Sequence, residues 1–261
     1  MEQNAKEILE SVDRVKVSIV MQVNLSDYPE SRSDAIGKFH RAVESFKNQM
    51  YKNCELIIVS DGCNKAYMQY NRSYTQDSNI RFVYYDRTGS PSMYEEVEGG
   101  AKYYRGFARG LGVAAATGSV ITYMDSDDYL MPDFTMTCML AYNTDSDKSW
   151  WMNTTWYDSS EVINSDQNIQ AVVDPNTIED ITIENLPGTW KAMRVQDNRA
   201  IMSPWLFMHK SNLNVKWRDV ISIDVTEDVD FYNRMVSQHR DGAYFSRPVY
   251  ARCHYKDVWD I

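Results

Sequence analysis

Apolar residues run almost unbroken through four short stretches of the first 125 positions, and between these stretches the apolar period changes to that of a helix. Val15 to Val23 (VKVSIVMQV) is β-branched and apolar, and predicts a buried strand. A polar loop containing Pro29 follows. Ile36, Phe39, Val43, Phe46 and Met50 then fall at helical spacing within Ala35 to Met50. CELIIVSDGCN, from Cys54, predicts a second buried strand ending in a polar turn. Asn64 to about Thr75 predicts a second helix, and Ile80 to Asp86 a third strand. RTGSPSMYEEVEGGAK reads as a loop, because Gly, Ser, Pro and acidic residues dominate it. Tyr103 to Thr117 predicts a helix with small residues for close packing, closed by Gly118, and SVITYMDSDD predicts a fourth strand.

Strand and helix therefore alternate four times, which predicts an α/β fold with a mostly parallel sheet flanked by helices. Ligands of such sheets bind at the carboxyl ends of the strands. Here those ends are Asn24, Ser60-Asp61-Gly62, Asp86 and Asp125 to Asp128, which are expected to meet along one edge. The second half is less regular. WWMNTTWYDSS reads as an exposed-face strand, QDNRAIMSPWLFMHKSNL as a loop and a strand, and TEDVDFYNRMVSQ as a helix with Thr226 as N-cap and acids in its first turn. No repeat, low-complexity tract or clean linker divides the chain. The expectation is one domain over residues 1–261 with a smaller substrate-facing C-terminal region.

Composition narrows the function classes. A net charge of −10 leaves no basic footprint for nucleic acid and no polybasic membrane patch. No apolar run approaches the roughly 20 residues of a transmembrane helix. The first residues, MEQNAKEILESVDRV, lack the apolar core of a signal peptide, and Cys54, Cys63, Cys138 and Cys253 form no C-x-x-C pair, so reduced thiols in the cytoplasm are expected. The 18 Tyr and 7 Trp are more readily core than a ring-stacking surface.

VITYMDSDDYLMPD is the most informative stretch. A hydrophobic strand runs straight into Asp125, Asp127 and Asp128, and carboxylates that close repel one another unless something positive sits among them. Mg²⁺ or Mn²⁺ prefers such oxygens and keeps positions open for water and substrate phosphates, so D-x-D at a strand end suits a metal-bound diphosphate. The plainer account is an Asp-rich helix start, with Pro132 in its first turn. An EF-hand is excluded because the required Gly and Glu are absent from the loop. A haloacid-dehalogenase phosphatase fits poorly: its D-x-D lies near the N-terminus and is followed by Thr or Val, where this chain has Tyr129.

Four ordered segments then resemble the inverting nucleotide-sugar glycosyltransferases of family 2, which have the GT-A fold. VSIVMQV looks like the family's opening strand. FKNQMYKNCELIIVSDGC resembles its Q-x-Y-x-x-x-E segment leading to V-D-D-G-S. ARGLGVAAATGSVITYMDSDD resembles A-R-N-x-G leading into D-x-D-D, and TEDVDFYNRM resembles the later E-D segment. The resemblance is good over about residues 15–133 and thinner over 200–256.

The resemblance implies a Rossmann-like GT-A fold with a nucleotide-sugar half (about 15–133) and an acceptor half (about 134–261). It implies metal-dependent transfer of a sugar, with inversion, from a nucleotide-diphosphate donor to a saccharide, lipid-linked saccharide or glycoconjugate, as in surface polysaccharide assembly. Peripheral membrane contact is compatible with it. Asp61 takes the place of the base-reading Asp, and Asn24 lies at the nucleotide end of the first strand. Asp125 would face the ribose and metal, and Asp127 would ligate Mn²⁺ or Mg²⁺, while Asp128 holds the loop. Arg109 can face the nucleotide or its phosphates. Asp228 is the candidate base, Glu227 its reserve, and His254 lies where some members place a histidine near the metal. Trp190, Trp205 and Trp217 are candidate walls for an acceptor sugar. Departures occur at Gln22-Val23-Asn24, at Ser60 in the paired-Asp position, and at Gly110 in place of Asn. Two other classes fit less well. A nucleotidyltransferase would want a Gly-rich basic loop after the first strand, where this chain has NLSDYPESRSD. A silent nucleotide- or sugar-binding module would keep binding without turnover.

Overall fold

The computed structural model describes residues 15–25, 34–85, 94–97, 100–103, 105–159, 182, 186, 190–194, 203–221 and 226–253. The first half delivers the expected alternation: β1 (Val17–Val23), α1 (Ala35–Lys47), β2 (Cys54–Asp61), α2 (Asn64–Ser73), β3 (Ile80–Tyr85), then α3 (Arg105–Ala115) and β6 (Val120–Asp125). Every residue of β1 is buried, as a strand covered on both faces requires. On α1, Phe39, Ala42, Val43 and Phe46 form the buried stripe. Asp34, at φ 50°, caps the helix by accepting the Gly37 N–H at 3.0 Å.

β1 pairs in parallel with β2 on one side and with β6 on the other, and β2 pairs in parallel with β3. Because β6 lies across β1 from β2, the chain reverses direction of travel at β1. That switch point opens a crevice at the carboxyl ends of β1 and β6, where Gln22 pairs with Asp125. Three further strands extend the sheet beyond β6: β8 (Trp150–Asn153), β11 (Phe207–Lys210) and β13 (Ala243–Phe245), in the order β13-β8-β11-β6-β1-β2-β3. β11 runs antiparallel to β6. The predicted α/β class with a mostly parallel sheet is therefore observed.

Helix α3 packs close to the sheet through its small residues. A Cβ added at Gly112 would lie 2.3 Å from Val20 Cγ1, so that position tolerates no side chain without a shift. Gly118 acts differently from the predicted helix cap. It stands where β6 begins, its N–H donates to Ser18 Oγ, and a Cβ there would meet the Lys16 carbonyl at 2.5 Å.

Beneath the sheet, at its amino edge, one carboxylate gathers five donors. Glu55 receives Ser18 Oγ (2.6 Å), Thr117 N (2.7 Å), Thr117 Oγ1 (2.9 Å), Lys16 Nζ (2.8 Å) and Arg81 Nη2 (2.9 Å). This knot ties β1, β2, β3 and the entry to β6 at the end opposite the crevice. Gln49 plays a comparable part beside it, bridging Ser45 and Met131 carbonyls to Thr135.

Several expectations are corrected. The stretch read as a loop after β3 contains a hairpin, β4 (Tyr94–Val97) and β5 (Gly100–Tyr103), and β5 is paired by β12 (Val220–Ile221). Tyr103 thus belongs to a strand, and the helix starts at Arg105. WWMNTTWYDSS is two strands, β8 and β9 (Thr155–Ser159), and β8 is buried throughout because it lies inside the sheet between β11 and β13. The helix start weighed for the Asp-rich stretch is present as α4 (Phe134–Thr144), which begins after β7 (Tyr129–Leu130), two residues beyond Pro132, with Asp133 at its N-cap position and no side-chain capping bond. A second sheet, in the order β10-β9-β14-β7, joins β10 (Trp190–Arg194) and β14 (Tyr250–Arg252) to this region. Helix α5 (Glu227–Gln238) forms as predicted. Thr226 occupies its N-cap position but makes no side-chain capping bond.

Candidate functional site

The crevice at the carboxyl ends of β1, β2 and β6 collects most of the sequence candidates. Asn24 follows β1 directly and is half-buried. The backbone of Asp61 ends β2, opposite Tyr85, and Gly62 turns away with φ +64° while its N–H donates to the Tyr85 carbonyl. Asp125 ends β6, with its side chain 39 % exposed toward the crevice. His254 lies outside the described residues.

Arg109 organises the centre. It sits on the inward face of α3 with its side chain only 5 % exposed. Its Nη1 donates to Glu227 Oε1 at 2.6 Å and to Asp228 Oδ1 at 2.9 Å, and Nη2 lies 3.6 Å from Asp125 Oδ1. One guanidinium therefore joins the strand end that carries D-x-D to the first turn of α5. Burial works against its charge, but Asp228, Glu227 and Asp125 together raise its pKa further. The positive group demanded by the acidic cluster is thus partly internal.

The two acids of α5 differ. Burial opposes the charge of Glu227, yet Arg109 and then Arg105 outweigh it and hold this carboxyl below its ordinary value. For Asp228, burial dominates. The Glu227 and Asp125 charges add to it, and Arg109 opposes it only in part, so the carboxyl is pushed up to about 8. A carboxyl placed in that way sits near neutral pH, where proton transfer in either direction is accessible. Its side chain keeps 17 % of its surface exposed, against 2 % for Glu227, so Asp228 is the more accessible of the pair.

The acidic turn is held from two sides. Arg41, on α1, donates to the Asp127 carbonyl at 2.8 Å. Asp128 is fully buried, accepting Tyr250 Oη (2.7 Å) and the Cys253 N–H (2.7 Å), while the Asp125 N–H donates to Tyr250 Oη at 3.1 Å. Trp205 stacks on Tyr250 at 4.6 Å and 7°. Asp128 thus holds the loop, as expected. Asp125, 39 % exposed and 3.6 Å from Arg109, and Asp127 are the other carboxylates of the turn. This hard-oxygen pair suits an ion that completes its shell with water and phosphate oxygens. Among the described residues no cluster of three or more His, Cys, Asp or Glu forms a metal cage.

Of the two readings of Trp190, Trp205 and Trp217, core or acceptor wall, the first is the one observed: they are 0 %, 3 % and 6 % exposed, with Trp190 packed beside Tyr129 and Ala251, Trp205 on Tyr250 and Trp217 on Phe231 of α5. Arg41 and Tyr250 were not singled out in the sequence, and Trp217, singled out there as a candidate wall, instead lies with its ring 5.1 Å from Arg109 Cζ. Their partners are distant in the chain, so no local pattern signals them.

No protein-family model matches this chain. A Bacillus subtilis protein described as a glycosyltransferase, EpsH, is 30 % identical over 93 residues, which is 35 % of this chain and 23 % of that relative. The chain thus matches about a quarter of the length of that curated relative. Among solved structures, S. aureus TarS in complex with UDP-GlcNAc is similar over 91 % of this chain and 58 % of its own, with a TM-score of 0.58 and 15 % identity. Glucosyl-3-phosphoglycerate synthase from Mycobacterium tuberculosis, solved with Mn²⁺, UDP and glucosyl-3-phosphoglycerate, is similar over 94 % of this chain and 74 % of its own, with a TM-score of 0.51 and 13 % identity. No helix among the described residues is long and apolar enough to cross a membrane. The chain has the GT-A glycosyltransferase fold that its sequence resemblance implies.

Proposed function

We propose that this chain is a metal-dependent, inverting glycosyltransferase that moves a sugar from a nucleotide-diphosphate donor to a saccharide or glycoconjugate acceptor, in surface polysaccharide assembly or a related pathway. Residues 15–133 hold the donor and residues 134–261 present the acceptor. The observation that carries the reading is the Arg109 bridge, which places Asp228 and Asp125 on one guanidinium (2.9 and 3.6 Å) and so sets a candidate base beside the D-x-D strand end.

In the proposed reaction the acceptor hydroxyl attacks the anomeric carbon as the bond to the diphosphate oxygen breaks. Asp228 takes the hydroxyl proton, and the diphosphate departs with the bonding electrons on the opposite face of the sugar. Glu227, held ionised by Arg109, keeps the guanidinium charged and oriented. Asp61 would read the nucleotide base, Asn24 would lie at the nucleotide end of β1, and Asp125 would face the ribose as well as the metal. Asp125 and Asp127, with His254 as a further candidate, would hold Mn²⁺ or Mg²⁺, which supplies charge neutralisation for the leaving diphosphate. The Mn²⁺ and UDP present in the mycobacterial synthase structure and the UDP-GlcNAc in that of TarS make uridine nucleotides the first donors to test.

The test is a thermal-shift panel of nucleotide diphosphates and nucleotide sugars, each with and without Mn²⁺. Binding to the native state raises the melting temperature by mass action. The expected result is stabilisation by one diphosphate only in the presence of Mn²⁺, abolished in Asp127→Ala. Absence of any shift across the panel refutes the proposal.

A further inference from the structure

The segment that follows β11 and leads to β12 buckles α3 to α5. Asp219 Oδ1 accepts the Phe107 N–H (2.9 Å) in the first turn of α3. At Gly106 an added Cβ would meet the Arg218 carbonyl at 2.0 Å, so the two backbones touch through a glycine. Arg218 in turn donates to Asp230 on α5. At the head of this buckle stands Trp217. One face of its indole lies flat on Phe231 of α5, at 4.1 Å and 2°. Its ring also lies within cation–π distance of the Arg109 guanidinium, at 5.1 Å.

The indole is fixed from within the core. Trp217 Nε1–H donates to Tyr123 Oη at 2.7 Å, and Tyr123 Oη is 2.7 Å from His209 Nε2. His209 Nδ1 lies 2.8 Å from the Lys210 carbonyl, which can only accept. The proton is therefore on Nδ1, Nε2 accepts from Tyr123, and every polar group in the chain is satisfied with a neutral imidazole. Burial supports that state by lowering His209 to about 4. A fully satisfied chain of this kind in the core of a domain defines one orientation of the ring it ends on.

We propose that Trp217 is a positioning residue for glycosyl transfer: held by Tyr123 and His209, it fixes the plane and height of the Arg109 guanidinium, and through it the carboxylate of Asp228. This rests on the reading of Asp228 as base. A wall for an acceptor sugar would stand in the crevice. Trp217 instead stands behind Arg109, and acts on the reaction through it.

The test compares Trp217→Leu, Trp217→Phe and Tyr123→Phe with the native protein. Two measurements are made: steady-state kinetics with the nucleotide sugar found in the thermal-shift panel, and ¹³C-carboxyl NMR titration of Asp228, assigned by its loss in Asp228→Asn. The groups facing Asp228 are Arg109, Glu227, Asp125 and Arg105. A loosened Arg109 therefore moves the titration midpoint upward. We expect kcat to fall by about tenfold or more in Trp217→Leu, with the donor KM within about threefold. Trp217→Phe, which keeps a ring under Arg109, recovers part of the loss. Tyr123→Phe removes one oxygen, leaves the packing in place, and serves if the leucine variant does not fold; it should move kcat and the midpoint in the same directions. A folded variant with native kcat and an unmoved midpoint overturns the proposal. So does a fall in kcat with the midpoint unmoved, which a smaller folded fraction produces without any change at Arg109. If the native protein turns over no nucleotide sugar, the functional reading fails on its own, and the midpoint alone decides whether Trp217 positions Arg109.

Discussion

Replacing Glu55 by Gln should remove one of the larger single contributions to stability. Its side chain is 4 % exposed and accepts five hydrogen bonds, two of them from Lys16 and Arg81. Burial alone would raise this carboxyl. The Lys16, Ser18 and Thr117 bonds reverse that and bring it from 4.5 to about 2. At about 1.4 kcal/mol per pH unit, that depression is worth roughly 3 kcal/mol at neutral pH. The glutamine is isosteric but turns an N–H₂ toward donors, so the loss should be at least of that order, within the ~3–5 kcal/mol seen when one partner of a buried ionic group is removed. For a chain of 261 residues this is about a 10 °C fall in Tm.

The pH dependence separates this account from simple misfit. A carboxyl with a depressed folded pKa contributes stability that is present above its unfolded value of 4.5 and is lost as pH falls from there toward 2. Urea unfolding of native protein and Glu55→Gln between pH 7 and 3 should give a difference that is flat down to about pH 4.5 and then shrinks. A difference under about 1 kcal/mol at pH 7, or one that persists unchanged into acid, would refute the electrostatic argument. Glu55 lies at the sheet edge opposite the crevice, so nucleotide binding by the surviving folded fraction should be unaltered.

Transferase activity should rise with pH through about 8 as Asp228 ionises, and Asp228→Asn should lower kcat by several orders of magnitude while leaving metal-dependent nucleotide binding intact, measured by rate profiles and thermal shift. The same raised pKa makes Asp228 a cost to stability at alkaline pH: its contribution is complete below about 4 and fades as pH rises through about 8, so Asp228→Asn should gain on the native protein in urea titrations across that window. Gly112→Ala should cost about 1–3 kcal/mol, because its Cβ would stand 2.3 Å from Val20 Cγ1; native-like stability would show that α3 can move off the sheet. Tyr250→Phe should cost about 1–3 kcal/mol by removing a donor from buried Asp128, read by equilibrium unfolding.

Much of residues 15–133 was legible because the signals there are local. An unbroken apolar strand covered on both faces, a helical stripe such as Phe39 to Phe46, and small residues on α3 each specify their own element and the layer it packs against. What escaped depended on partners far along the chain. The β4–β5 hairpin gains β12 as a third strand, and nothing near Tyr94 announces Val220. β8 reads as half-exposed until β11 and β13 close over both its edges. The motif resemblance also mixed two kinds of residue. Gln49 and Glu55 are scaffold: one is spent on Met131 and Thr135, the other on the knot at the far edge of the sheet. Asp125, Arg109, Glu227 and Asp228 meet around one guanidinium. Arg109, expected to face the nucleotide or its phosphates, is found bound to the acids of α5.

That difference bears on what the crevice can bind. Burial raises the Asp128 carboxyl and the nearby Asp127 and Asp125 charges raise it further, while Glu227 and Asp228 are bound by Arg109. Arg109 is the buried cation among them, and its Nη1 already donates to both acids of α5. Asp128 is withdrawn from the problem by Tyr250 and Cys253. Asp125 keeps the looser contact with Arg109, at 3.6 Å, and on the proposed reading Asp125 and Asp127 face the place where a nucleotide diphosphate would add negative charge of its own. Coulomb repulsion in a partly desolvated crevice disfavours that encounter unless a cation enters first or with the nucleotide. On the proposed reading, then, Arg109 is committed to aligning the acceptor side, and the metal ion is the element that makes the donor side habitable. This division of labour is why nucleotide binding, more than fold stability, should respond to Mn²⁺ and to Asp127→Ala.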